Sequence, residues 1–310
     1  MRAPDATPAG GCRRPEFEVS GPEDAPAVVV LGGISASAHV ASHPGDPTPG
    51  WWEAVAGPGR ALDTRRFRVI GVDHAVFPAG PVTTEDQARV VAGTLDRLGV
   101  GRAAAVIGAS YGGMTALAFG ELFPARTARL VVLCAAHEAD PAATALRVVQ
   151  RRILRLGQAT GRRREAVELA RVLGVVSYRS PGELASRFAG RARRAADGAR
   201  FPVEDYLDHQ ARRFAARFPL ERYLALSESL DLHRVMPERI TVPVTLVGCR
   251  SDGLVPPRQL RACAARLAGP VRVHLLDAPT GHDAFLTETT TVSAILSAVL
   301  SQESCHAAPS

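Results

Sequence analysis

The sequence predicts an α/β fold: a mostly parallel β-sheet covered by helices, with a helical cap inserted into it. Three observations carry that prediction. Short uninterrupted apolar runs end at Gly or Asp, helix-patterned stretches lie between them, and an Arg-rich, strand-poor interval fills the middle of the chain. Strands buried on both faces read as continuous apolar runs. Their alternation with helices is the pattern of a parallel sheet wound through right-handed crossovers.

In order, the runs are residues 26–33 (PAVVVLGG), 67–73 (FRVIGVD), 103–110 (AAAVIGAS), 130–136 (LVVLCAA), 242–252 (VPVTLVGCRSD) and 271–277 (VRVHLLD). Residues 84–98 carry apolar residues near a 3.6 period and open on Thr84 as the expected N-cap. Residues 114–123, 257–267 and 287–300 read as further helices. Residues 138–231 hold no buried-strand run and read as an all-helical insertion. The expected organisation is therefore a core of residues 16–137 and 232–302, a cap of residues 138–231, a disordered lead-in 1–15 and a frayed tail 303–310.

With 310 residues, 46% hydrophobic and 22% charged, the chain can bury a full core. Wholesale disorder, a collagen repeat and a multi-span membrane protein are excluded. No run approaches the ~20 apolar residues of a membrane helix. All 37 basic residues are Arg, and the net charge is +6. A basic balance suits nucleic acid, anionic lipid or a small polyanion equally. No nucleic-acid module or aromatic platform accompanies the arginines, so neither nucleic acid nor membrane is expected as a partner. The five cysteines are scattered and form no CxxC pair, which argues against a disulfide framework and a zinc site. Cys134 and Cys249 sit in apolar runs and are expected as buried thiols; no metal is expected. The N-terminus has no apolar signal region, and a cytoplasmic protein is expected.

The chemistry is written in residues 108–112 (GASYG), a G-x-S-x-G pentapeptide between a buried-strand run and a helix. There a sharp elbow exposes a serine hydroxyl at the carboxyl edge of a sheet. Ser110 is thus the expected nucleophile. A serine hydroxyl needs a base, and the base needs an orienting acid. On this architecture they follow in the order Ser, acid, His. Asp252 closes one strand run, and His282 follows the last one. Of the nine histidines only His282 follows both the acid and the final strand within the core; His74 and the rest lie near the wrong strands, in the cap or in the tail. The expected oxyanion donors are the backbone N–H groups of Tyr111, just after the nucleophile, and of Ile34, in the loop after the first run.

Several further motifs resemble the homoserine O-acyltransferases of the α/β-hydrolase fold. They are residues 50–52 (GWW), 57–64 (GPGRALDT), 108–114 (GASYGGM), 178–180 (YRS), 206–210 (YLDHQ) and 281–286 (GHDAFL). The resemblance implies an α/β-hydrolase core with a cap and a Ser110–Asp252–His282 triad. It also implies a serine acylated by acyl-CoA that passes the acyl group to the side-chain hydroxyl of homoserine, on the route to methionine. By resemblance Arg179 binds the amino-acid carboxylate and Asp283 its ammonium group, and the chain forms a homodimer through cap helices. Acyl-CoA is then a co-substrate, with no cofactor needed. Residues 31–40 (LGGISASAHV) and 73–81 (DHAVFPAGP) look more like the succinyl-transferring branch than the acetyl-transferring one. A succinyl donor brings a carboxylate that needs a buried cation, and Arg147 is the candidate. Arg151, Arg152, Arg155 and Arg162–Arg164 could meet the phosphates of CoA. Acetyl-CoA as donor, serine as acceptor, and an esterase on the same fold stay open.

Overall fold

The computed structural model describes residues 16–77, 80–196 and 198–301. The expected lead-in 1–15 and tail 303–310 lie outside the described residues, as do Pro78 and Ala79 of the 73–81 loop. Each apolar run forms a strand, because a Val- and Ile-rich segment with no polar face satisfies its backbone only between two neighbours. Before these comes a strand not foreseen, β1 (Phe17–Ser20). It is half-buried and only four residues long, too short for a pattern to show. The foreseen strands follow: β2 (Ala27–Leu31), β3 (Arg68–Val72), β4 (Ala105–Ala109) and β5 (Leu130–Leu133), every residue of them buried.

Helix α1 (Thr84–Arg97) crosses from β3 to β4, and α2 (Tyr111–Leu122) from β4 to β5. The N-cap of α1 is Thr83 and not Thr84. Thr83 accepts from the Asp86 amide (3.2 Å), and Asp86 accepts from the Thr83 amide (3.0 Å). This reciprocal box satisfies two otherwise orphaned donors and fixes the helix start. Thr84 is the first helical residue; its hydroxyl lies 2.7 Å from Nδ1 of buried His233.

Between β5 and the next core strand lie helices α3 (Pro141–Thr160), α4 (Arg163–Tyr178) and α5 (Pro181–Phe188). An exposed hairpin of β6 (Arg193–Ala195) and β7 (Gly198–Arg200) follows, then α6 (Pro202–Ala215) and α7 (Leu220–Leu232). The hairpin departs from the all-helical expectation. It is made of charged and small residues and leaves no buried-strand signature. The chain then returns through β8 (Val244–Cys249), α8 (Pro257–Arg266) and β9 (Val271–Leu276). It ends in α9 (Ala284–Thr287) and α10 (Thr289–Ser301).

The sheet order is β1-β3-β2-β4-β5-β8-β9, antiparallel only at β1–β3. Side chains alternate across it. Val29 and Leu31 join the core cluster under α1, α2 and the cap, while Val28 and Val30 join the one under Trp52 and α10. β9 departs from the two-sided burial expected of it: as the edge strand it exposes Val271 and Val273. Cys134, Cys249 and Cys263 are buried free thiols. Among the described residues no single helix is long and apolar enough to cross a membrane.

Candidate active site

The elbow between β4 and α2 positions Ser110. Its backbone sits at φ 54° and ψ −118°, a conformation that costs a non-glycine residue about 1–3 kcal/mol and persists only when its surroundings impose it. The flanking glycines show why. A Cβ on Gly108 would lie 2.0 Å from the Gly112 carbonyl oxygen, and one on Gly112 would lie 2.3 Å from that of Leu31. Only hydrogens let strand, turn and helix close this tightly.

Two loops from the far side of the sheet meet that serine. Ser110 Oγ lies 2.8 Å from His282 Nε2, and His282 Nδ1 lies 2.8 Å from Asp252 Oδ2. The other oxygen of Asp252 accepts from the Leu254 (2.8 Å) and Val255 (3.0 Å) amides. The carboxylate is therefore fixed on both oxygens, and it fixes the imidazole with Nδ1–H toward Asp252 and a lone pair toward Ser110. Both side chains are buried. Burial works against the imidazolium of His282, but Asp252 outweighs it and raises His282 above its ordinary value. Trp52 donates to the Phe285 carbonyl (3.1 Å), and Ser180 donates to that of Pro279. The GWW and YRS motifs thus brace the segment carrying His282.

The expected oxyanion donors converge with the nucleophile. The loop holding Ile34 runs beside Ser110: a Cβ on Gly33 would sit 3.7 Å from the Ser110 Cβ. Its carbonyls are engaged elsewhere. Gly32 O accepts from Gly112 N (3.0 Å) and from His74 Nε2 (2.9 Å), and Gly33 O accepts from Ala36 N (2.9 Å). In a trans peptide N–H opposes C=O, so pinning the carbonyls aims the N–H of Ile34 the other way. Among the described residues, neither the Ile34 nor the Tyr111 N–H has a protein acceptor.

His74 is a residue that sequence reasoning passed over. It follows β3, far from the base position, and nothing in its neighbourhood signals that it reaches the loop after β2. Burial lowers its pKa, so it stays neutral and donates from Nε2.

A cavity of about 760 Å³ opens over Ser110 and His282, within the size range of small-molecule sites. Asp283 lines it and Arg179 does not; Arg179 lies between Asp283 (3.2 Å) and Glu183 (3.1 Å). Burial raises the pKa of Asp283 despite this partner. Arg147 lines the cavity on α3. Its Nε donates to Asp231 Oδ1 (2.7 Å), and its buried Nη2 lies 2.6 Å from the same oxygen. Arg151 takes Asp231 Oδ2 at 2.5 Å. Two guanidiniums thus share one carboxylate and leave one positive charge over. Burial opposes ionisation of Asp231, but the two arginines and Thr144 hold its pKa below the ordinary value.

Arg152, Arg155 and Arg162–Arg164 are exposed and do not line the cavity, and the last three pair with Glu165, Glu221 and Glu168. They stand on a solvated face, apart from the cavity. Helical periodicity turns them to the outer face. The cluster Glu18–His39–His43 offers three metal-ligand types, but Gly45 N–H donates to His43 Nδ1 (3.2 Å). That places the His43 proton on Nε2, facing Glu18, and makes the cluster a hydrogen-bonded one.

Comparison with known proteins accords with this geometry. Residues 26–289 match the model of the alpha/beta hydrolase fold. The chain is 40% identical to homoserine O-succinyltransferase of Xanthomonas campestris pv. campestris, over 93% of this chain and 79% of that protein. It is 38% identical to L-serine/homoserine O-acetyltransferase of Streptomyces lavendulae, over 84% of each. Homoserine O-acetyltransferase from Bacillus anthracis superposes with a TM-score of 0.84 at 17% identity, covering 92% of this chain and 91% of that one, a likeness of fold. With a Ser–His–Asp relay at the sheet edge and relatives of this kind along most of its length, the chain belongs to the alpha/beta hydrolase fold and, within it, to the homoserine/serine O-acyltransferases.

Proposed function

We propose that the chain is a homoserine O-succinyltransferase. Ser110 attacks the thioester of succinyl-CoA while His282 accepts its proton. The tetrahedral oxyanion rests on the Ile34 and Tyr111 N–H groups, and the CoA thiolate leaves with the proton from His282. In the second half-reaction the γ-hydroxyl of homoserine attacks the succinyl-Ser110 ester. His282 deprotonates that hydroxyl, then returns the proton to Ser110. The chemistry uses no metal and no cofactor; acyl-CoA is a co-substrate and places the reaction in the cytoplasm.

The Arg179–Asp283 pair supports an amino-acid acceptor. A zwitterion carries the same two charges: its ammonium can sit on Asp283, which lines the cavity, and its carboxylate can take the Arg179 fork that Asp283 now occupies from behind the cavity wall. An esterase of simple esters has no use for such a pair. The single observation that carries the succinyl reading is the surplus positive charge at Arg147, Arg151 and Asp231. An acetyl group offers it nothing, whereas a succinyl carboxylate neutralises it. The exposed apolar residues Val149, Leu156, Leu169 and Val176 on α3 and α4 support a homodimer through the cap.

The test is a matrix of acyl-CoA donors against amino-acid acceptors, read by CoA release, with intact mass to detect acyl-Ser110. Succinyl-CoA with homoserine is expected to give the highest kcat/KM. A preference for acetyl-CoA would overturn the donor, and a preference for serine would overturn the acceptor.

A further inference from the structure

The loop after β2 carries a charge that the steps above do not use. His39 lies on it, downstream of Ile34, and both nitrogens of its ring face oxygen. Nδ1 is 2.7 Å from Glu18 Oε2 on β1, and Nε2 is 2.7 Å from the Thr48 carbonyl. A carbonyl oxygen only accepts, so Nε2 bears a proton. The Thr48 hydroxyl, 3.4 Å from Nε2, offers no alternative, because it donates to Asp46 Oδ1 (2.7 Å). At Nδ1 the second proton also sits on the ring, since a carboxylic acid gives up its proton before an imidazolium does. His39 is therefore an imidazolium bonded at both ends. Burial opposes that charge, but the Thr48 carbonyl and Glu18 outweigh it and raise the His39 pKa above its ordinary value. The other charged groups acting on it are Asp46 and Glu53, and the ring of His43 stands 5.7 Å away.

This cation joins β1, the loop after β2 and the turn that contains Thr48. Residues 33–37, His39 and residues 49–51 form one wall of the cavity over Ser110, so the clamp lies within that wall. Backbone bonds carry it toward the nucleophile. The His39 carbonyl accepts from Trp51 N (3.2 Å), its amide donates to Ser37 Oγ (3.3 Å), and Ala36 N holds the Gly33 carbonyl (2.9 Å) beside the Ile34 donor. We propose that His39 is a positioning residue of acyl transfer: as an imidazolium between Glu18 and Thr48 it holds the wall that carries the Ile34 N–H, and the wall loosens when the ring loses its Nε2 proton. The proposal rests on the reading of Ile34 as an oxyanion donor, not on which acyl-CoA or acceptor is used. Nε2 is the nitrogen that deprotonates, because Nδ1 faces a full negative charge and Nε2 only a carbonyl dipole. The lone pair left there meets those of the Thr48 carbonyl, and the contact turns repulsive. The clamp is thus present below the His39 pKa and lost as pH rises through it.

The experiment measures kcat and KM against pH for the wild type, Glu18→Gln and His39→Gln, with the CoA thioester and hydroxy amino acid that the wild type uses best. Wild-type kcat is expected to fall along an alkaline limb. Glu18→Gln removes an influence that raises the His39 pKa, so its limb should move to lower pH. His39→Gln should lose the limb, leave KM little changed and lower the plateau kcat by about tenfold, less than the roughly 10²–10³-fold cost of deleting an oxyanion donor outright. A second readout needs no turnover. The two tryptophans of the chain, Trp51 and Trp52, both follow the clamp in this segment, so their emission reports on the wall. It should change along the same alkaline titration in the wild type, move with the limb in Glu18→Gln and stay flat in His39→Gln. An alkaline limb that is unmoved in Glu18→Gln overturns the proposal, even where His39→Gln fails to fold. So does emission that stays flat across the wild-type limb. A rise in KM for one substrate with kcat intact would make His39 a substrate contact and overturn it as well. If no acyl-CoA serves as donor, the functional reading falls by itself, and the tryptophan titration still decides the clamp.

Discussion

The core sheet and the cap solve different problems with different residues. In the core, position is dictated by backbone: five of the seven strands are buried throughout, the elbow admits only glycine two residues to either side of Ser110, and Asp252 is fixed by two amides. In the cap, position is dictated by charge. Asp231 gathers Arg147 and Arg151, and Glu183 gathers Arg179 and Arg187. The core is therefore built for one reaction, and the cap for choosing what undergoes it. Substitutions in the relay should abolish chemistry on every substrate, whereas substitutions in the cap should re-weight substrates.

The largest expected effect is that of Ser110→Ala. With the nucleophile gone no acyl-enzyme forms, and turnover should fall by roughly 10⁶-fold, the scale seen when a catalytic serine is removed elsewhere. Intact mass after incubation with succinyl-CoA should show no adduct, and thermal unfolding should show a protein at least as stable, since the strained φ costs alanine no more than serine. Wild-type turnover in this variant would break the comparison at its root.

Asp252→Asn comes next. Loss of the orienting carboxylate leaves the wrong tautomer of His282 available, a change worth about 10⁴-fold in kcat. The pH profile gives a second readout. His282 must be neutral to accept the Ser110 proton, so activity falls as pH drops through its pKa, and Asp252 raises that pKa above 6.5. Without Asp252 its two largest raising influences are gone, and burial, the largest influence of all, lowers it against Asp283 alone. The acid limb of kcat/KM should therefore lie above pH 6.5 in the wild type and move to lower pH in the variant. An unmoved limb would mean that another group titrates there.

What the sequence made legible follows the same division. The six apolar runs, the elbow, the acid and the base each carry a local signature, and all are where those signatures put them. Errors in the core are errors of edges: β1 is too short to show a pattern, β9 is exposed because no strand covers its outer side, and Thr83 takes the cap that Thr84 seemed to offer. In the cap, one letter stands for many roles. Arg163 and Arg171 look alike in sequence, yet one meets Glu221 on the surface and the other stacks on aromatic rings in the cavity. Only three-dimensional pairing tells a spent charge from a free one. His74 escapes for a related reason, since its partner, the Gly32 carbonyl, is 42 residues away.

A cap substitution that spares the first half-reaction sharpens the contrast. Arg179→Lys keeps a cation for Glu183 and Asp283 but loses the fork that a carboxylate needs. Acylation of Ser110 by succinyl-CoA should proceed at the wild-type rate, while transfer to the amino acid should drop by about 100-fold, within the ~2–5 kcal/mol of a buried charged pair. Equal losses in both half-reactions would make Arg179 a structural brace of the His282 segment.

The smallest and most discriminating effect is expected at Arg147. Replacing it with Asn leaves Asp231 paired one-to-one with Arg151 and still accepting from Thr144 (2.8 Å), so the local fold keeps its charge balance and loses only the surplus cation. A succinyl carboxylate would then enter the cavity without a partner. Truncating one member of a buried charged pair costs about 2–5 kcal/mol, or roughly 30-fold and upward in kcat/KM. Acetyl-CoA has no carboxylate to strand, and its kcat/KM should stay near the wild-type value. General damage to α3 would lower both donors together and cancel in their ratio, which makes the succinyl-to-acetyl preference the quantity to measure. A fall of about 30-fold or more assigns Arg147 as the selector. A ratio within about threefold of wild type, well short of a charged-pair penalty, would leave the surplus charge of the Asp231 cluster with no acyl carboxylate to neutralise it, and the donor preference would have to be sought elsewhere in the cavity.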